Sequence, residues 1–245
     1  MKIPWNVVFN YGLIQSDVVR VIAKLLLQAA YPDKKDITFK ELPKDVIIPA
    51  TNLTDSYFFI ASKQTTPEMS VIDAVVYSCC GNIVITPNIL HLRKQNKKAI
   101  IIDGGASVLN YPIALYSPMD KPCYICNMLD NDYSRDLYAQ YGGKFSDFEK
   151  IMKNTTNNTL LGIKFESPNP FINKPINNLF SYLWNFLNLT YASLLQATEK
   201  DSRYTISIDM NGILPVDITY LFLPYKTKQM IQIGRQAVID SKLFK

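Results

Sequence analysis

The sequence predicts an α/β domain with a mostly parallel sheet. Short apolar runs typical of strands alternate along the chain with longer segments of helical periodicity. Of the 245 residues, 48% are hydrophobic and 19% are charged, a globular composition with enough apolar side chains for one substantial core. We therefore expect a single domain over residues 1–245.

Helices are predicted where a capping residue precedes apolar residues at helical spacing. Ser16 is expected to cap a helix over residues 17–30, and Ser70 a second helix over residues 71–78. The Thr38 to Glu41 segment has the form of a capping box and predicts a short helical turn. Longer helices are expected over residues 177–199 and 227–242. In the first helix, the apolar stripe expected to face the core is Val18, Val21, Ile22, Leu25 and Leu26, widened by Val19, Leu27 and Ala29.

Strands are predicted where short apolar runs are flanked by turn residues. Two strands, at residues 46–48 and 57–61, surround an Asn-Leu-Thr-Asp turn. The run at residues 98–102 is almost continuously apolar, which is typical of a buried parallel strand. Two further strands are expected at residues 160–165 and 204–208. The segment 130–143, rich in Asp, Asn and Gly, is expected to be a loop.

Asp103 follows the predicted strand 98–102 and is itself followed by Gly104 and Gly105. In open α/β sheets, active groups gather just past the carboxyl ends of strands. Two glycines permit a tight turn and the close approach of another backbone. A carboxylate placed there can orient or deprotonate a hydroxyl group opposite it. The alternative is that Asp103 only caps the turn by accepting a hydrogen bond from a nearby amide.

The segment around this aspartate resembles the signature of the patatin-like phospholipase family. A strand ends in Asp103-Gly104-Gly105 and runs on to Asn110 and Pro112, as in the family's Asp-Gly-Gly to Asn-x-Pro pattern. Ordered matches upstream extend the resemblance over about residues 10–115, and the remainder of the chain is more divergent. They lie at residues 12–17, 37–42, 48–53, 66–67, 71–78 and 86–87, and the segment 233–237 resembles a closing helix of the family.

The resemblance implies a three-layer α/β/α sandwich that lacks its N-terminal elements. It also implies lipid acyl hydrolysis by a Ser–Asp dyad without a cofactor, in which Asp103 is the proton acceptor. The implied substrates are phospholipids or other acyl esters.

The chain departs from the family pattern at the nucleophile. It contains no G-x-S-x-G sequence and no glycine-rich loop near its start, and the match implies that it begins after both elements. Without a nucleophile and oxyanion donors, the dyad chemistry cannot run. We therefore expect a chain that is inactive alone or is part of a split or truncated enzyme whose nucleophile lies on a separate chain. The alternative is a non-catalytic pseudoenzyme that binds lipid or protein.

The charge and hydropathy of the chain limit the kinds of partner that we expect. The net charge of +5 fits weak attraction to an anionic membrane surface and equally an ordinary solvated exterior. Basic residues do not alternate with aromatics, so no nucleic acid partner is expected. No signal peptide is visible, and the uncharged stretch 175–198 contains several asparagines that favour a soluble helix. We therefore expect a protein that is cytoplasmic or peripheral to membranes.

Two other residue types were candidates for chemistry. The four cysteines, Cys79, Cys80, Cys123 and Cys126, include one C-x-x-C pair, which is half of a zinc site at best. Buried reduced thiols are the expected alternative, and no metal is predicted. The single histidine, His91, precedes a basic cluster and is expected to lie in a solvated loop.

Overall fold

A computed structural model describes residues 14–80, 85–106, 129–154, 161–166, 204–209 and 224–241. The chain forms two compact units, Met1–Thr155 and Thr156–Lys245. The expectation of a single domain stays a prediction. The helix expected over residues 177–199 lies outside the described residues.

Four antiparallel strands form the sheet of the first unit. They are β1 (Ile48–Asn52), β2 (Tyr57–Ala61), β3 (Asn88–Leu92) and β4 (Lys97–Asp103). The order across the sheet is β2-β1-β4-β3. All three neighbouring pairs are antiparallel, including the central pair, in which Thr51 lies opposite Ile102.

The predicted fold class, a three-layer α/β/α sandwich with a mostly parallel sheet, is therefore wrong. Four-residue turns at 53–56 and 93–96 join β1 to β2 and β3 to β4. Such turns permit only antiparallel neighbours, because a parallel crossover needs a dozen or more residues. Ser56 and Asn96 end these turns with left-handed backbone, at φ 55° and 46°. Neither turn carries the Asn-Gly or Asp-Gly pair that marks a hairpin in a sequence.

Five α-helices accompany the strands in the described part of the chain. They are α1 (Asp17–Ala30), α2 (Val71–Cys79), α3 (Asp132–Gln140), α4 (Phe145–Asn154) and α5 (Pro224–Asp240). A 3-10 helix, Phe39–Glu41, follows Thr38, and the Glu41 carboxylate accepts hydrogen bonds from both the amide and the hydroxyl of Thr38 at 2.8 Å. The predicted turn at Thr38 is thus confirmed.

The predicted helix caps agree with the structure in some cases and not in others. The Ser70 hydroxyl accepts a hydrogen bond from the Asp73 amide at 3.2 Å, so this predicted cap is confirmed. α1 has the predicted bounds, but the side chain of Ser16 makes no capping hydrogen bond. The predicted loop at 130–143 is wrong, because α3 forms there and the Asn131 side chain accepts a hydrogen bond from the Ser134 amide at 3.0 Å.

One face of the four-stranded sheet holds the core. Because side chains alternate along a strand, every second residue points to this face. The buried apolar side chains on it are Ala50, Tyr57, Phe59, Leu90, Leu92, Ala99 and Ile101. α2 packs against β1 and β4, and α3 packs against β2 and β3. Phe145 and Phe148 of α4 complete the same cluster. The opposite face is more open, and Ile89 on it is 57% exposed.

α1 packs on α2 rather than on the sheet. Its inner residues Val19, Ala23 and Leu27 contact a small cluster that includes Ile72 and Val76 of α2. The prediction that Val18, Val21, Leu25 and Leu26 face the core is wrong, since all four are exposed. The helix carries apolar side chains on most of its surface, so the spacing alone did not identify the packed side.

The second unit contains a parallel strand pair. β5 (Leu161–Glu166) and β6 (Tyr204–Asp209) pair in parallel, with Ile163 opposite Ile206. Both predicted strands are confirmed to within one residue. α5 packs against β6 and covers most of the helix predicted at 227–242.

Candidate functional site

Asp103 is the last residue of β4 and lies opposite Ala50 of β1. Its side chain falls on the same face as Ala99 and Ile101, the face that α2 covers, and is half-buried there. The Asp103 amide donates a hydrogen bond to the Cys80 carbonyl at 2.7 Å, directly after the end of α2. The strand end is therefore fastened both to β1 and to the end of a helix.

The carboxylate of Asp103 is oriented by the turn that follows it. The Gly105 amide donates a hydrogen bond to Oδ1 at 2.7 Å. Among the described residues, no donor reaches Oδ2. Burial raises the pKa of the Asp103 carboxyl above its ordinary value, and the Gly105 hydrogen bond opposes that rise. A raised pKa makes the ionised carboxylate a stronger proton acceptor than an exposed aspartate.

Gly104 lies where a strand passes too closely for any side chain. A Cβ at this position would meet the Pro49 carbonyl oxygen at 2.6 Å and the Pro49 carbonyl carbon at 2.7 Å. Gly104 begins the short 3-10 helix Gly104–Ala106, which directly follows Asp103. The close approach expected from the paired glycines is thus present, and it sets the direction of the chain after Asp103.

The two interpretations of Asp103 drawn from the sequence are both represented in this geometry. The Gly105 hydrogen bond is the turn cap that the structural interpretation predicts. The half-buried position and the raised pKa are features that a proton acceptor needs. The role of Asp103 therefore stays a prediction. Asn110 and Pro112, the other two motif residues, lie outside the described residues.

Cys79 and Cys80 are free thiols near the candidate site. Partial desolvation of the Cys79 thiol by the surrounding protein, and the negative charge of Asp103, raise the pKa of Cys79. Burial raises the pKa of Cys80 to about 11. Both thiols are therefore protonated at neutral pH and are weak nucleophiles. The buried position expected for them holds for Cys80, whereas Cys79 is exposed. Cys123 and Cys126 lie outside the described residues.

His91 lies on β3 opposite Lys98, so the expectation of a loop histidine is wrong, although its side chain is exposed as predicted. Asp103 lies five positions after Lys98 on β4, which is about 17 Å along a strand. His91 is therefore too far from Asp103 to exchange a proton with it. Within the described ranges, no group of three or more His, Cys, Asp or Glu side chains could hold a metal ion.

Sequence reasoning missed the groups that hold Asp103 in place. The Cys80 carbonyl, the Pro49 backbone and the Thr51 hydroxyl, which donates to the Asp103 carbonyl at 3.3 Å, all come from distant parts of the chain. Backbone contacts of this kind leave no residue signature. The Pro49-Ala50-Thr51 segment was recognised only as part of the resemblance at residues 48–53, and the strand predicted nearby was placed at 46–48.

The chain matches no protein-family model, no curated protein and no solved structure. Among the helices in the described ranges, none has both the length and the apolar character needed to cross a membrane.

Replacing Asp103 by asparagine is expected to stabilise the folded chain at neutral pH by about 0.5–1 kcal/mol. The folded pKa of this carboxyl lies above the ordinary value of 3.8, so its favourable contribution is complete below pH 3.8 and is lost as the pH rises through the folded pKa. At pH 7 the ionised carboxylate thus destabilises the fold. Asparagine keeps the acceptor for the Gly105 amide and removes the charge.

Urea unfolding at pH 7 and pH 3.5 measures this effect. The gain from Asp103→Asn should be present at pH 7 and should shrink at pH 3.5. Asp33→Asn, at an exposed position, serves as the control and should change little at either pH. A variant that is less stable than wild type at pH 7 would show that the charge of Asp103 is stabilised in the fold.

Proposed function

We propose that this chain is the aspartate-bearing part of a patatin-like lipid acyl hydrolase and does not hydrolyse acyl esters by itself. Asp103 is the proton acceptor for a serine hydroxyl that another polypeptide supplies. The observation that carries the proposal is the carboxylate itself, half-buried at a strand end, oriented by Gly105 and with a raised pKa. The proposal concerns this carboxylate and the motif around it and makes no use of the three-layer fold.

The geometry around Asp103 supports the role of a general base more than that of an ordinary surface aspartate. The Gly105 amide occupies one oxygen of Asp103, and in the described part of the chain Oδ2 remains available to accept a proton. The Cys80 carbonyl and the Pro49 backbone fix the strand end and the turn, which limits the freedom of the carboxylate. Pre-organisation of this kind is what general-base catalysis requires of the acceptor.

The remaining parts of the reaction must come from elsewhere. The sequence has no G-x-S-x-G segment, and the two cysteines within the described residues, Cys79 and Cys80, are protonated at neutral pH. In this proposal, the serine nucleophile and the amide donors for the oxyanion come from outside residues 1–245. The substrate class is an acyl ester of a lipid, such as a phospholipid.

Complementation with a serine-bearing polypeptide tests this proposal. The probe is the product of any reading frame next to the Met1 codon that carries a glycine-rich loop and a G-x-S-x-G segment, co-expressed with this chain. The chain alone should release no p-nitrophenol from p-nitrophenyl butyrate above background, whereas the mixture should turn over. Asp103→Asn should lower kcat of the mixture by about 10²–10⁴-fold.

The matched control is Asp33→Asn, which removes an exposed carboxylate and should leave kcat unchanged. Turnover by the isolated chain that Asp103→Asn abolishes would mean that the chain holds its own nucleophile. A complemented activity that does not depend on Asp103 would overturn the assignment of the base.

A non-catalytic protein-binding role is the second candidate. It is favoured by the apolar outer side of α1, where Val21, Leu25 and Leu26 are 57%, 61% and 68% exposed. Exposed apolar residues in this number on one helix are typical of an interaction surface. In that case Asp103 serves as a turn cap, and its substitution affects stability but no turnover.

A further inference from the structure

The outer side of α1 is an apolar surface with a regular pattern. Val18, Val21, Leu25 and Leu26 are exposed and recur at intervals of three, four and seven residues. Side chains at this spacing share one side of a helix over two turns. We call this set the α1 stripe.

α2 covers only part of the apolar surface of α1. At about 100° per residue, the apolar positions of α1 span roughly two thirds of its circumference. The residues that contact the α2 cluster, Val19, Ala23 and Leu27, occupy about one quarter of it. A helix that is apolar on most of its surface is stable when buried on more than one side. Within the described residues, the α1 stripe therefore lacks the second layer that its composition requires.

Two opposite charges flank the α1 stripe. Asp17 and Lys24 are seven residues apart and so lie on the same flank of α1, two turns from one another. Both side chains are exposed, and neither forms an ion pair with a described residue. Arg20, which lies on the inner side, is already paired with Asp73 of α2 at 2.5 Å.

We propose that two copies of this chain associate through an antiparallel pairing of their α1 stripes. With a two-fold axis between Val21 and Ile22, each Val18 lies opposite Leu25 of the other copy. The same rotation brings Asp17 to within about 3 Å, measured along the helix axis, of Lys24 in the other copy. Each of these charges thereby gains one opposite partner, and the Asp17–Lys24 pair occurs twice in the dimer. A parallel pairing would instead place Asp17 and Lys24 beside the opposite flank of the other copy, which carries no charged residue, so neither charge would gain a partner.

Charge complementarity therefore favours a second copy over another apolar occupant. The contact is short, since α1 has 14 residues. Pairs of this size belong to the weak, transient class of interface. The inference does not depend on the proposed acyl hydrolase, because neither Asp103 nor a nucleophile takes part in the contact.

Sedimentation equilibrium of the full chain from about 10 to about 500 µM tests the dimer. Wild type should show a reversible monomer–dimer equilibrium. Val21→Glu should weaken association at least about tenfold, because it buries a carboxylate at the axis. Ile89→Glu is the matched control, since Ile89 is equally exposed at 57% but lies on the sheet, and it should leave association unchanged.

Charge reversal tests the orientation. Asp17→Lys alone and Lys24→Asp alone should each weaken association by about threefold to tenfold, and the double variant should restore it. Circular dichroism checks that each variant is folded. A chain that stays monomeric at about 500 µM, or that dimerises equally well with Val21→Glu, would overturn the proposal. So would binding of the monomer to phosphatidylserine vesicles that Val21→Glu abolishes, because the stripe would then belong to a lipid surface.

Discussion

Replacing Gly104 by alanine is expected to destabilise the first unit by about 2–4 kcal/mol. The added Cβ would lie 2.6 Å from the Pro49 carbonyl oxygen and 2.8 Å from the Pro49 Cβ. The atoms nearest to it are backbone atoms of a central strand, which cannot move aside as a flexible side chain can. The strand β1 or the turn after Asp103 must shift, and either shift disturbs the hydrogen bond between Gly105 and Asp103.

Urea unfolding followed by circular dichroism measures the change. Gly234→Ala in α5 is the control for the exchange of glycine for alanine, because a Cβ there meets nothing within 4 Å. It should stabilise the chain by about 0.5–1 kcal/mol through higher helix propensity. A Gly104→Ala protein with wild-type stability would mean that Pro49 does not pack against this turn.

Replacing Phe59 by alanine is expected to cost about 3–5 kcal/mol, a large part of the stability of a domain of this size. Phe59 is fully buried on the face of the sheet that carries the core, opposite Ala50 in the antiparallel register of β1 and β2. Its removal leaves a cavity between the sheet and the helices that cover it. Urea unfolding followed by circular dichroism also measures this loss. In the extreme case, Phe59→Ala would abolish the cooperative unfolding transition.

Ile89→Ala is the control for Phe59→Ala. Ile89 lies on the opposite face of the sheet and is 57% exposed, so its truncation should change the free energy of unfolding by about 0.5 kcal/mol or less. Equal losses for the two variants would contradict the assignment of faces that the antiparallel register gives.

Local signals in the sequence predicted local structure well. The hydroxyls of Thr38 and Ser70 take part in the predicted end structures. The strand before Asp103 forms where it was predicted, although it is antiparallel to its neighbours and not parallel. In each case, the residues that interact are close together in the chain. The hydrogen bond between the Gly105 amide and Asp103 is also local, and a turn cap was one of the two roles that the sequence predicted for this aspartate.

Non-local properties were not predictable from the same residues. A short apolar run such as that before Asp103 has the same composition whether its neighbours are parallel or antiparallel. The short turns that end at Ser56 and Asn96 make the neighbouring strands antiparallel. Neither turn contains the glycine that marks a hairpin turn in a sequence. β3 was missed because polar residues such as His91 interrupt its apolar pattern.

The packed side of α1 was mispredicted for a related reason. Apolar residues occur on most of its surface, so the stripe through Val21 and Leu25 was as plausible a core face as the side through Val19 and Ala23. Which side packs depends on the position of α2, which is a tertiary property. The groups that hold Asp103, namely the Cys80 carbonyl and the Pro49 backbone, are tertiary in the same sense.

The ionisation of Asp103 is the property on which this account rests most directly. Its pKa can be measured by following the carboxyl carbon of Asp103 by NMR during a pH titration of the full chain, with Asp103→Asn to assign the resonance. The account predicts a pKa above the ordinary aspartate value of 3.8, because burial outweighs the hydrogen bond from Gly105. A pKa at or below 3.8 would contradict it, since Asp103 would then be only the acceptor that closes its own turn.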